Sequence, residues 1–229
     1  MILPSQYYEE TLYPLQNGVL NTLSQSGTNF FLTGGTALSR AYYNHRYSDD
    51  LDFFLSRGFD YDDELNNVLA RLRGAGFIWN NEKDFIRNKY FTTIKVGYAE
   101  TAPLLKIDFV YDSVPHFGEI IRTNLFFRTD SIRNIISNKL SAIFRYAAKD
   151  IADIREIALH ETSIDWTEII QEARQKEAGL ELIYISEILR GMPRHEYDSI
   201  AWTKKPDWEV FKNDIDRIVN EMICGEKIA

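Results

Sequence analysis

With 229 residues and 45% hydrophobic side chains, the chain is long enough for one large domain or two small ones around a buried core. A single cysteine, Cys224, excludes a disulfide framework or zinc cluster, and no stretch nears the roughly 18 apolar residues of a spanning helix. Met1-Ile2-Leu3-Pro4 lacks the basic start and apolar run of a signal peptide, so the chain reads as cytoplasmic, with no membrane partner.

Residues 7–23 carry apolar side chains at helical spacing and predict a helix, closed by the turn-forming residues 24–28. Residues 30–33 predict a short strand, followed by Gly34-Gly35-Thr36 and a helical pattern through Tyr43: strand, glycine turn, helix. Next come a strand at 51–55, a helix at 60–72 with Gly74 near its C-cap, a short strand at 77–79, and strands at 91–98 and 104–111. Beyond about residue 127 the strand signals stop. Helices are predicted at 131–145, 149–160, 166–177, 181–189 and 208–223, with 191–206 a loop before the last. The expected architecture is therefore α/β (α+β), an α/β domain over residues 1–128 followed by a helical domain over 129–229. No internal repeat or low-complexity tract interrupts it.

The net charge of −8 argues against a general nucleic-acid binder, but it is unevenly spread. Residues 121–149 hold six bases (Arg122, Arg128, Arg133, Lys139, Arg145, Lys149) against Asp130, whereas residues 49–64 hold seven acids against Arg57. The first segment suits phosphates and the second suits cations.

Side chains alternate along a strand, so Asp50 and Asp52 share a side while Leu51 and Phe53 point into the packed layer. Lys106 and Asp108 repeat the arrangement against Ile107 and Phe109, which supplies a third carboxylate. Acids set close together in apolar strands repel and lose hydration, a cost that a divalent cation relieves. Oxygen-only ligands point to Mg²⁺ or Mn²⁺, and two such ions would serve in-line phosphoryl transfer. Glycines at Gly34 and Gly35 let the backbone approach a phosphate at a helix N-terminus, and a Ser or Thr hydroxyl there can donate to it. Each element also has a plainer reading: Asp-Leu-Asp as a solvated strand face, the glycines as a turn closing a strand into a helix. No Walker loop or Gly-x-Gly-x-x-Gly motif is present.

Gly34-Gly35-Thr36-Ala37-Leu38, followed by Arg46-Tyr47-Ser48-Asp49-Asp50-Leu51-Asp52-Phe53, resembles the AbiEii/AbiGii toxin family of the DNA polymerase beta-like nucleotidyltransferases. Asn138-Lys139-Leu140-Ser141-Ala142 with Arg145, then Lys149-Asp150-Ile151-Ala152-Asp153, resembles the family's later lysine and basic-Asp-x-x-Asp motifs, although Ala148-Lys149 stands where Pro-Arg is often found. The resemblance implies a mixed-sheet nucleotidyltransferase domain, a helical C-terminal part, an NTP substrate and Mg²⁺. By position, Gly35 and Thr36, with Gly34, Arg46 and Ser48 beside them, would bind the triphosphate, Asp50 and Asp52 would ligate metal, Lys139 would contact phosphate, and Asp150 would lie near the acceptor. Asp108 is taken as the third metal carboxylate, or as a base for the acceptor hydroxyl. Arg46 either braces the metal carboxylates or solvates a turn.

Two elements carry plain alternatives: Lys149 and Asp153 as a surface i, i+4 pair, and Trp202 with Trp208 as packing anchors rather than base-stacking groups. The leading expectation is a toxin-like transferase adding NMP to an RNA acceptor, the tRNA 3′ end, and paired with an antitoxin protein. The alternatives are a nucleotidyltransferase acting on a small molecule or a protein hydroxyl, and a catalytically silent module that binds NTP or a partner.

Overall fold

The computed structural model describes residues 4–99 and 104–226. Residues 1–3, inspected above for a signal peptide, and the outer ends of the two expected domains lie outside them. The chain divides into two compact units, Met1–Ser113 with Ile120–Asp130, and Val114–Glu119 with Ser131–Ala229.

The first unit begins with helix α1, built from Pro4–Tyr7, a wider π-helical stretch Tyr8–Leu12, and Tyr13–Ser26. Leu12, Leu15, Val19 and Leu23 recur on one face and are buried. Gly27 stops the helix in the left-handed conformation, φ 66°. β1 (Phe31–Thr33) leads directly into α2, which starts at Gly34–Thr36 and continues in π-helical turns over Ala37–Tyr43. β2 (Leu51–Ser56), α3 (Tyr61–Gly74), β3 (Phe85–Asn88), β4 (Phe91–Val96) and β5 (Leu105–Asp112) follow.

The sheet order is β1-β2-β5-β4-β3, with β2 and β5 parallel and the other neighbours antiparallel. It is the mixed sheet that the resemblance implied. Strand alternation divides the residues cleanly: Leu51, Phe53 and Leu55 of β2 and Leu105, Ile107 and Phe109 of β5 are fully buried, while Asp52, Lys106 and Asp108 occupy the opposite, half-buried face. Phe109 stacks on Phe53 at 5.6 Å between ring centroids and meets Phe30 edge-on at 5.1 Å. Tyr61 ties α3 to this core by donating its hydroxyl to the Phe109 carbonyl at 3.0 Å.

Much of the acidic run at residues 49–64 belongs to α3 rather than to a cation site. Asp60 caps the helix by accepting from the Asp63 N–H at 2.9 Å, and Asp62, Asp63 and Glu64 fill the first turn, where unpaired N–H groups favour negative charge. Two strand expectations are corrected. Residues 77–79 form one bridge, Ile78 to Gly97, because Phe77 turns into the core against Tyr98. β3 was not anticipated: it is an edge strand with Ile86 60% exposed and Arg87 and Asn88 outward, so it shows no hydrophobic alternation.

The second unit contains α4 (Ile132–Ser141), a 3₁₀ turn (Ile143–Arg145), α5 (Ala148–His160), α6 (Trp166–Lys176), α7 (Leu182–Arg190), α8 (Arg194–Ser199) and α9 (Trp208–Glu226). The helix expected over 131–145 breaks after Ser141, and its last turn closes at Tyr146 with φ 54°. The expected loop at 191–206 contains α8, whose six residues are too few for a periodic signal; Pro193, which reads as a breaker, sits just ahead of its first turn. Tyr197 lies 5.4 Å from Trp202, 5.0 Å from Trp208 and 5.1 Å from Phe211, so both tryptophans are packing anchors. Among the described residues no helix is long and apolar enough to cross a membrane.

Phe109→Ala should lower the unfolding free energy by about 3–5 kcal/mol, measured by urea titration, since it empties the middle of the aromatic stack. A second prediction concerns alkali. Tyr42 donates to the Asp130 carbonyl at 2.6 Å, and burial, reinforced by the Asp130 charge, pushes its phenol from 10.0 up to about 12. A raised folded-state value means that this contribution is complete below pH 10 and is lost as pH rises toward 12. Melting curves across that window should fall less steeply for Tyr42→Phe than for the native chain.

Candidate active site

Parallel pairing of β2 with β5 sets Asp52 directly opposite Asp108, and antiparallel pairing on either side adds Thr33 opposite Asp52 and Thr93 opposite Asp108. Residues in register share a face, so the four form one polar row across the sheet. Asp108 is held at both oxygens: Thr93 Oγ1 donates to Oδ1 at 2.6 Å, and Lys106 Nζ donates to Oδ2 at 2.6 Å. Burial works against the charge of Lys106, but the bond to Asp108 and the fields of Asp108, Asp50 and Asp52 outweigh it and hold the ammonium above the usual lysine range. Asp50 lies one residue before β2 and is half-buried.

The glycine turn is pressed against this row. Gly34 has φ 68°, and a Cβ there would strike the Asp52 carboxylate; a Cβ on Gly35 would strike the Arg46 guanidinium and come within 3.2 Å of Ser48 Oγ. Both positions require glycine for proximity, and Gly34 also for its backbone. Arg46 and Ser48 are 2% exposed, so the guanidinium packs beneath the turn, and its Nη1 donates to the Tyr47 carbonyl at 3.0 Å. Thr36 is fully buried and donates its hydroxyl to the Asp50 carbonyl at 2.5 Å, which fastens α2 to the start of β2.

Helix α1 braces the same segment, a role that sequence reasoning missed. Gln16 Nε2 donates to the Ser48 carbonyl at 3.0 Å, and Arg40 holds Gln16 Oε1 at 2.8 Å. Tyr8 stacks on Tyr47 at 4.4 Å and donates to Asp49 Oδ1 at 2.5 Å; burial first, then Asp49, pushes its phenol well above the tyrosine range. Tyr8 and Asp49 are 41 positions apart, and no local pattern links them. Thr93 was missed for the same reason.

Of the residues singled out in the sequence, Gly34, Gly35, Thr36, Arg46, Ser48, Asp50, Asp52 and Asp108 all lie in the first unit around this row. Lys139 and Asp150 lie in the second unit and meet each other: Lys139 Nζ is 2.7 Å from Asp150 Oδ1 and 2.6 Å from Asp153 Oδ2, and Arg145 reaches Asp150 Oδ2 at 2.7 Å. Asp153, offered above as a surface partner of Lys149, is fully buried against Lys139.

Asp50, Asp52 and Asp108 offer only oxygen, the ligand type that a hard divalent cation takes. Among the described residues no three His, Cys, Asp or Glu groups stand ready as an ion site, and the Lys106 ammonium lies in the field of all three carboxylates.

A family model described as "Nucleotidyl transferase AbiEii toxin, Type IV TA system" matches residues 19–221. The crystal structure of JHP933 from Helicobacter pylori is similar with a TM-score of 0.66 and 20% identity, over 94% of this chain and 92% of that one. A crystal structure of a candidate nucleotidyltransferase from H. pylori gives the same TM-score and identity over 95% and 96%. At that identity the likeness is one of fold. A search of curated proteins finds no match.

Gly34→Ala should cost roughly 1–3 kcal/mol of stability, because a strained backbone is combined with contact on Asp52. In a double-mutant cycle, Gly34→Ala with Asp52→Ala should lose at least about 0.5 kcal/mol less than the sum of the single changes. Strict additivity in chemical denaturation would sink the contact.

Proposed function

The chain belongs to the AbiEii nucleotidyl transferase toxin family of type IV toxin-antitoxin systems, and from that premise we propose that it transfers a nucleoside monophosphate from an NTP to an RNA acceptor, the tRNA 3′ end. The observation carrying the chemical part is the in-register pair Asp52 and Asp108 beside the Gly34 turn.

In the proposed reaction the acceptor hydroxyl oxygen forms a bond to the α-phosphorus, the bond to the bridging oxygen breaks, and pyrophosphate leaves. Asp108, oriented by Thr93, takes the hydroxyl proton. The N–H groups at the start of α2 and the Arg46 guanidinium beneath Gly35 favour the triphosphate's negative charge. Asp50, Asp52 and Asp108 would hold Mg²⁺ or Mn²⁺, which when bound supplies neutralisation of the phosphate charge. Support for an RNA acceptor comes from the basic segment, in which Arg122 and Lys149 are exposed. As a toxin-family member the protein is proposed to have an antitoxin partner.

A second reading has its own support. Arg133 is engaged by Glu172 and Glu168, and Lys139 and Arg145 by Asp150, so half of the linear basic run is already neutralised within the second unit. That favours a small-molecule or protein hydroxyl as acceptor.

Label transfer from each α-³²P NTP to tRNA, with Mg²⁺, tests both. The native chain should label tRNA, and Asp50→Ala/Asp52→Ala should lose at least about a hundredfold in rate. Transfer to RNA should also fall steeply between 50 and 200 mM salt through counterion release. Label on the protein itself or on a small alcohol, insensitive to salt, would select the second reading. No transfer to any acceptor would leave a module that binds NTP without turning it over.

A further inference from the structure

The carboxylates of β2 and β5 already have a positive charge among them, and its attachment is of a different kind from the other contacts. Thr93 is short, neutral and strand-held at Asp108 Oδ1, whereas Lys106 reaches Oδ2 with a long stem and a full charge. The Asp108 side chain is 13% exposed and the Lys106 side chain 44%, so the carboxylate is fixed while the ammonium has room to leave. Lys95 stands directly opposite Lys106 in the β4–β5 register, and like charges there favour the Lys106 head lying toward Asp108.

We propose that Lys106 is an internal counterion of the carboxylate row, which must release Asp108 Oδ2 before a divalent cation can use that oxygen, and which thereby sets the metal affinity of the site. The proposal rests on the divalent-cation reading above. Without a cation, Asp50, Asp52 and Asp108 would repel across a half-buried face; the ammonium offsets this in the metal-free protein and opposes an incoming ion by its own charge. Lys106 is on this account a positioning residue. It holds Asp108 turned toward the row, and its release accompanies loading of the site.

The test is Mn²⁺ binding to the full chain without nucleotide, followed by electron paramagnetic resonance. Lys106→Met, which keeps the stem and removes the charge, should bind Mn²⁺ about tenfold more tightly than the native chain. Lys106→Arg, which keeps the charge, should stay close to native, and in an Asp108→Asn background Lys106→Met should change little. Unchanged or weaker Mn²⁺ binding by Lys106→Met, with the native chain binding normally, overturns the counterion role and leaves the metal reading intact. If the native chain binds Mn²⁺ no better than Asp52→Ala, the metal reading fails and the proposal fails with it.

Discussion

Parallel pairing between β2 and β5 is the constraint on which the candidate site depends. Its register places Asp52 opposite Asp108, and the same register places Leu51 with Ile107 and Phe53 with Phe109 on the other face. A slip of one residue would send the carboxylates into the aromatic core and the phenylalanines to the half-buried face. Burial of Phe53, Phe109 and Phe30 therefore holds the acids in place, and packing and chemistry are two faces of one ladder.

This explains what was legible beforehand. Alternation in residues 51–55 and 104–111 marks both strands and the side on which Asp52 and Asp108 fall, and glycines just ahead of a helix mark the turn. Thr93, Tyr8 and Gln16 could not be read, because each reaches the site across the sheet or from α1, and single-chain periodicity carries no information about such pairings. β3 was missed because an outward-facing edge strand need not alternate, and α8 because six residues hold fewer than two helical turns.

Charge counted along the chain proved a poorer guide than charge counted in space. Asp60, Asp62, Asp63 and Glu64 inflate the acidic run but serve the N-terminus of α3. Lys139 inflates the basic run but is buried between Asp150 and Asp153, where it and Arg145, which also reaches Asp150, offset the two carboxylates at considerable desolvation cost. What lies around the glycine turn is a smaller and more specific set: Asp50, Asp52 and Asp108, with Lys106 beside Asp108 and Arg46 beneath Gly35.

The bond from Thr36 to residue 50 ends on a backbone carbonyl, not on the carboxylate. The frame that joins α2 to β2 is thus indifferent to which side chain residue 50 carries. A lineage descended from such a chain can surrender the acid at residue 50 and keep this joint, so likeness of fold at that point does not report whether the carboxylate is still there.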